Sequence, residues 1–250
     1  MKYWFHGGVL VRPHDEKVYK GGEDAFAASK TLLVVADGVG GWADHGVDPG
    51  LFSKQLCKDI QAIYDTDNMK PLKEILCEAV KLNKNTGSST CVLASLNPQT
   101  ALLKTTNLGD SGYILFKVNE KDEVEQVFKS KEQQYRFNFP YQCGTDCDPP
   151  TKAFDTEHQM SPSDIIVMGS DGLFDNVFDK DFKPCIQKQI IRENGFAKMQ
   201  SPQEAAECLG EFAYRKSKDR RYESPFSVGA KKAGLWHNSG KEDDITVIVA

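Results

Sequence analysis

TCVLASLNPQTALLKTTNLGDSGYILFKVNEKDEVEQVF, residues 90–128, decides the fold. Apolar, β-rich runs at Thr90–Leu96, Leu102–Asn107, Tyr113–Val118 and Glu123–Phe128 follow one another with only short turns between them. A parallel pair needs a crossover of a dozen residues or more, and these gaps are too tight for one. The spacing therefore predicts hairpins, with antiparallel sheets and helices packed outside them.

Outward from this stretch, further apolar runs at Thr31–Ala36, Asp164–Gly169 and Ile245–Val249 add strands. Helical patterns lie between. In Gly50–Tyr64 the residues Leu51, Phe52, Leu56, Ile60 and Ile63 are expected on one face, and in Pro71–Leu82 the residues Leu72, Ile75, Leu76, Ala79 and Val80. A third helix is predicted from Ser201, with Pro202 at its first position and Glu204 completing a capping box. No repeat, low-complexity segment or Gly/Ser-rich linker interrupts the chain, so residues 1–250 are expected to form a single domain.

The net charge of −5 argues against a nucleic-acid binder, which needs a basic surface. No apolar run approaches the roughly 18 residues of a membrane helix, so no transmembrane segment is expected. The seven cysteines, Cys57, Cys77, Cys91, Cys143, Cys147, Cys185 and Cys208, are odd in number and irregular in spacing. That is unlike a secreted disulfide framework, and reduced thiols in an intracellular compartment are expected. Cys143 and Cys147 lack a second Cys/His pair at zinc-finger spacing and read as two thiols in a loop. The N-terminal MKYWFHGGVLVRP has neither a long apolar core nor a Ser/Arg-rich amphipathic character.

Carboxylates recur where the apolar runs end. TLLVVADGVGG places Asp37 at the end of a buried strand before a glycine-rich turn. NLGDSG does the same with Asp110 and IIVMGSDGLFD with Asp171. EDDITVIVA puts Asp243 and Asp244 before the last strand, and GGEDAF sets Glu23 and Asp24 beside an early one. One such Asp-Gly is an ordinary turn. Five acid-bearing strand ends are a pattern, because a carboxylate abutting a buried run is costly to desolvate unless it is paired or bound to a cation. An all-oxygen set suits magnesium or manganese, and the absence of His or Cys beside it disfavours zinc. The glycine after Asp37 lets the backbone come close, so the Gly38 carbonyl can join the ligands.

Gly-Asp-Ser-Gly at 109–112 also occurs around the nucleophile of trypsin-like serine proteases. Ser111 would then need a histidine base, an orienting acid and an oxyanion hole. None of His6, His14 and His45 lies in a segment resembling a protease histidine motif. Ser111 is read as a turn residue and Asp110 as the functional one.

In chain order, Glu23–Asp24, ADGVGGW at Ala36–Trp42, NLGDSG at Asn107–Gly112, SDGLFDN at Ser170–Asn176 and DDIT at Asp243–Thr246 resemble the metal-dependent protein phosphatases, the protein phosphatase 2C or PPM family. The five motifs span nearly the whole chain. GWADHGVDPGLFS, EQQYRFNFPYQ and SPF at Ser224–Phe226 resemble the mitochondrial matrix members of that family.

The resemblance implies an α+β fold, an antiparallel β-sandwich flanked by α-helices in four αββα layers. It implies a serine/threonine phosphatase that hydrolyses phosphomonoesters with a water activated by two Mn²⁺ or Mg²⁺ ions, without a phosphoenzyme. Asp37 then bridges the two metals with the Gly38 carbonyl on one of them, and Asp171 and Asp243 hold the other. Glu23 and Asp24 act largely through water, and Asp110 helps to bind a third, weaker metal. Asp243 is preferred to Asp244 because the family often has Asn at the second position.

Two positions depart from the family. Tyr19 stands where many members carry a phosphate-binding Arg, leaving Lys17 and Lys20 as nearby candidates, and Val39 replaces a histidine present in one branch. The implied partners are phosphoproteins, and the implied compartment is the mitochondrial matrix if a presequence has been removed, otherwise the cytoplasm. A catalytically weak pseudophosphatase that binds phosphoproteins is the alternative.

Overall fold

The apolar runs become strands whose ends fall within two residues of expectation. In chain order the computed structural model, which describes residues 2–250, begins with β1 (Gly8–Arg12), β2 (Asp24–Ala28) and β3 (Leu32–Gly38). Helices α1 (Pro49–Thr66) and α2 (Leu72–Leu82) precede β4 (Ser88–Leu96), β5 (Leu102–Leu108), β6 (Gly112–Val118) and β7 (Val124–Lys129). Short strands β8 (Gln134–Arg136), β9 (Phe139–Pro140) and β10 (Cys143–Gly144) lead to β11 (Phe154–Gln159) and β12 (Ile165–Gly169). There follow α3 (Asp171–Phe174), α4 (Asp179–Gln187), β13 (Ile190–Glu193) and β14 (Phe196–Met199). The chain ends with α5 (Pro202–Ser217), α6 (Pro225–Lys232) and β15 (Ile245–Val249). It divides into two compact units, each assembled from separate stretches of sequence.

The first unit comprises Asp15–Ser111 and Lys131–Met160 with the N-terminal residues to Phe5. Its antiparallel sheet has the order β11-β5-β4-β3-β2, and β10 adds to β4. Every second residue of β3, Leu32, Val34 and Ala36, joins Phe52, Leu56 and Ile60 of α1 and Ile75, Leu76 and Ala79 of α2 in one buried cluster. Leu33 and Val35, on the other face of β3, are buried as well, which is why the strand reads as an unbroken apolar run. Helix α1 starts where the Asp48 carboxylate accepts the Gly50 N–H at 3.0 Å, with Pro49 at the first position. Leu51, expected on the buried face, is instead 57% exposed. It lies about 100° round the helix from Phe52, and seating Phe52, Leu56, Ile60 and Ile63 turns it outward.

The second unit comprises His6–His14, Gly112–Ser130 and Ser161–Ala250. Its sheet has the order β1-β15-β12-β6-β7, again antiparallel throughout. Phe182 and Ile186 of α4 and Ala205, Leu209 and Ala213 of α5 pack with Ile114, Phe116, Val167 and Val247 of the strands. Ser201 Oγ accepts the Glu204 N–H at 3.2 Å, but the Glu204 carboxylate takes Gln189 Nε2 at 2.9 Å, so only half of the expected capping box forms.

Two further expectations are corrected. The run of hairpins is two hairpins, β4–β5 and β6–β7, because β5 and β6 enter different sheets. Gly109 between them has φ +102°, a conformation open to glycine that turns the chain out of the first sheet. Nor are all the cysteines thiols: Cys185 of α4 and Cys208 of α5 form a disulfide, and the other five are free. Their separation of 23 residues carries no signal until α4 and α5 pack. Closing a loop of that length is expected to add about 2–4 kcal/mol of stability. Denaturant unfolding should show that loss on addition of reductant, and a Cys185→Ala/Cys208→Ala variant should no longer respond to it.

Candidate functional site

In the first unit the acids gather where β2 begins and β3 ends. Asp24 and Asp37 are direct partners in the antiparallel register, so their side chains leave the same face of the sheet. Glu23 and Asp24 are 2% and 3% exposed. Ser89 Oγ donates to the Asp37 carbonyl at 2.8 Å, and the Gly38 N–H donates to the Glu23 carbonyl at 3.1 Å. A Cβ on Gly38 would sit 2.7 Å from that Glu23 oxygen and 2.9 Å from the Pro49 oxygen, so close approach excludes any side chain there. Lys17 Nζ and Lys20 Nζ bind the Glu23 carboxylate at 2.6 and 2.7 Å, and Lys20 also reaches Asp48 at 3.1 Å. Burial lowers the Lys20 pKa, but Glu23 and Asp48 outweigh it and leave it raised. Tyr19 points outward, 86% exposed.

Asp110 is buried after β5, with Gln134 Nε2 at 3.2 Å from its Oδ2. Gln133 donates its N–H to the Gly109 carbonyl at 2.8 Å and accepts the Gly109 N–H at 3.2 Å. Neither glutamine stands out from sequence as a support of this turn, the polar EQQ after β7 being the available signal. Ser111 is fully buried with its Oγ 2.7 Å from Thr90 Oγ1. A hydroxyl so engaged packs the turn. Ser111→Ala is expected to cost about 1–2 kcal/mol of stability and to leave turnover within about twofold. Complete loss of activity with the circular dichroism spectrum intact would restore the nucleophile reading.

In the second unit Asp171 opens α3 and Asp243 stands in the segment before β15. Lys241 Nζ links them: it contacts Asp171 Oδ2, Asp175 Oδ2 at 2.8 Å and Asp243 Oδ2 at 3.2 Å. Burial lowers the Lys241 pKa, and the three carboxylates reverse this and raise it well above its ordinary value. Asp244 is 2% exposed and accepts the His14 N–H at 2.7 Å.

The two motifs of this unit are sewn together. Buried Asn176 accepts the Lys241 N–H at 3.0 Å and donates to the Lys241 carbonyl at 2.8 Å. Ser170 Oγ accepts the Thr246 N–H at 3.0 Å, and the Ser170 N–H donates to the Thr246 carbonyl at 3.2 Å. Asp175 and Lys241 were missed from sequence. Asp175 lies one helical turn beyond Asp171, on the same face, and that spacing was the available signal.

Among the described residues no group of three or more His, Cys, Asp or Glu side chains is set to hold a metal ion, and lysine ammonium groups lie against Glu23, Asp171 and Asp243. The donor chemistry nevertheless fits a hard divalent cation. Like charges directly opposite on paired strands are destabilising, and Asp24 and Asp37 stand that way beside a close-packed backbone at Gly38. Every donor is oxygen.

The sequence profile of the family described as Stage II sporulation protein E (SpoIIE) matches residues 27–221. Probable protein phosphatase 2C 26 of Arabidopsis thaliana is 35% identical over 97% of this chain and 82% of its own length. Probable protein phosphatase 2C 55 of the same plant is 37% identical over 97% of this chain, which spans half the length of that relative. Among solved structures, that of the photosystem II phosphatase PBCP superposes with a TM-score of 0.86 at 31% identity, covering 97% of this chain and 96% of its own. That likeness bears out the α+β class that the family resemblance implies.

Proposed function

This chain belongs to the protein phosphatase 2C, or PPM, family, and on that premise we propose that it hydrolyses phosphoserine and phosphothreonine monoesters of proteins with divalent Mg²⁺ or Mn²⁺. The observation that carries the reading is the pairing of Asp24 with Asp37 across β2 and β3. The metal residues proposed are Glu23, Asp24, Asp37, the Gly38 carbonyl, Asp110, Asp171 and Asp243. Metals held by such a set would supply an activated water for in-line attack and neutralise charge on the phosphoryl oxygens.

The chain's own part is to fix these donors. Ser89 and the Glu23 carbonyl hold the backbone of Asp37 and Gly38, and Asn176 and Ser170 hold the segments that carry Asp171 and Asp243. Asp243, with a quarter of its side chain exposed, is preferred to Asp244, which is 2% exposed and accepts the His14 N–H. Lys17 and Lys20, at the mouth of Glu23, are the proposed contacts for the substrate phosphate.

No phosphocysteine is involved in this reading. Burial pushes the Cys143 thiol up to about 12 and raises Cys57 and Cys91 as well, leaving no thiolate among them at neutral pH. Residues 1–250 are read as one PPM-type catalytic domain. The proposed compartment is the mitochondrial matrix if a presequence is removed, otherwise the cytoplasm.

One observation favours the alternative of a phosphoprotein-binding pseudophosphatase: Lys241 already answers three of the carboxylates. Turnover of an aryl phosphomonoester with and without manganese separates the two. Manganese-dependent release of phosphate supports the enzyme, and its absence supports the binding protein.

A further inference from the structure

A cavity of about 570 Å³ opens in the first unit beside the turn that follows Gly38. Its walls include Trp42, Tyr135, Gln142, Asp146 and Asp148, none of which has a part in the chemistry above. Those walls are held in place. Trp42 Nε1 donates to Ser88 Oγ at 2.6 Å, and Ser88 Oγ donates to Gln142 Oε1 at 2.5 Å. Tyr135 stacks on Tyr141 with centroids 4.1 Å apart and gives its hydroxyl hydrogen to Asp148.

The charges in this cavity do not cancel. Lys152 Nζ binds Asp148 at 2.8 Å and lies 5.6 Å from the Tyr135 ring centroid, so the Asp148 charge is answered within the fold. Asp146 is exposed at the rim, held at φ +52°, and no ion pair among the described residues engages it. What is left for a ligand is the Asp146 carboxylate, the Trp42 indole and the exposed Tyr135 ring. A cation with a flat face fits that set, by charge at Asp146 and by stacking or cation–π contact at the rings.

The cavity is also tied to the strand end that carries Asp37. The Val39 N–H donates to the Ser88 carbonyl at 3.0 Å, and Ser88 Oγ is the partner of both Trp42 and Gln142. Trp42 is the fourth residue after Gly38, so their Cα atoms lie within about 14 Å, the reach of about four residues of extended peptide. We propose that this cavity receives an arginine side chain of the phosphoprotein substrate, placed within about four residues of the phosphorylated one. The proposal rests on the phosphatase reading given above.

The test uses the full chain with manganese and a set of phosphoserine peptides. Each peptide carries a single arginine within four residues of the phosphoserine and is matched with a peptide carrying citrulline, which keeps the shape and removes the charge. At one position the arginine peptide should have a kcat/KM about fivefold higher, expressed in KM. In Asp146→Asn the ratio should fall to about two or less, the remainder being the cation–π share; asparagine tolerates the positive φ, so the turn is kept. Fluorescence polarisation of the unphosphorylated arginine and citrulline peptides should show the same preference without turnover. A ratio of one at every position, or a preference unchanged in Asp146→Asn, would overturn the proposal while wild-type turnover of p-nitrophenyl phosphate upholds the phosphatase. Failure to turn over p-nitrophenyl phosphate would overturn the phosphatase reading, and the polarisation measurement would then still decide whether the cavity binds arginine.

Discussion

Replacement of Asp37 by alanine is expected to lower phosphopeptide turnover at least about a hundredfold. Asp37 faces Asp24 across the strand pair, and the backbone behind it is fixed by Ser89 and Gly38. Removing its carboxylate takes away a donor that no neighbour can replace, because Asp24 and Glu23 sit on strand and turn positions set by other contacts. Asp171→Ala should lose as much. Stability should change far less: relieving a like-charge pair across a sheet alters folding by about 1 kcal/mol or less. Steady-state kinetics beside a thermal melt in chelator checks both halves. A variant that keeps more than about a tenth of its activity, or one that fails to fold, would remove Asp37 from the role proposed for it.

Gly172→Ala is expected to lower stability and turnover together. A Cβ at Gly172 would lie 2.0 Å from the Asp244 carbonyl oxygen, and the obstacle is backbone rather than a mobile side chain tip. Either α3 or the segment before β15 must move by about an ångström. Overpacking of this kind costs about 1–3 kcal/mol or more. A displacement of that size at reacting groups costs about a hundredfold in rate. Here it falls between Asp171 and Asp243, whose backbones the Asn176 and Ser170 hydrogen bonds keep together. Denaturant unfolding and kcat/KM of the same preparation should therefore both fall. Wild-type stability with wild-type activity would mean that the two motifs need not approach so closely.

Much of this was legible in the sequence because the signals are local. Apolar runs bounded by turns located the main strands, the 3.6-residue periodicity located α1 and α2, and Ser201-Pro202 located the start of α5. The short edge strand β11 was missed, because none of its residues is buried and its pattern is weak. The disulfide, the separation of β5 from β6, and the place of Lys241 among Asp171, Asp175 and Asp243 depend on packing between distant segments, which no local pattern records. The acids themselves stood out for a physical reason. Charged residues at the ends of buried strands need an explanation, and turn formation alone accounts for one of them more easily than for five.

The most direct measurement is phosphate release from a phosphoserine peptide by the full chain, first in excess chelator and then after addition of manganese or magnesium. Release is expected to fall to background in chelator and to return when either ion is supplied, with Asp37→Ala inert in both conditions. Near-normal release in chelator would contradict the metal-dependent hydrolysis on which the account rests.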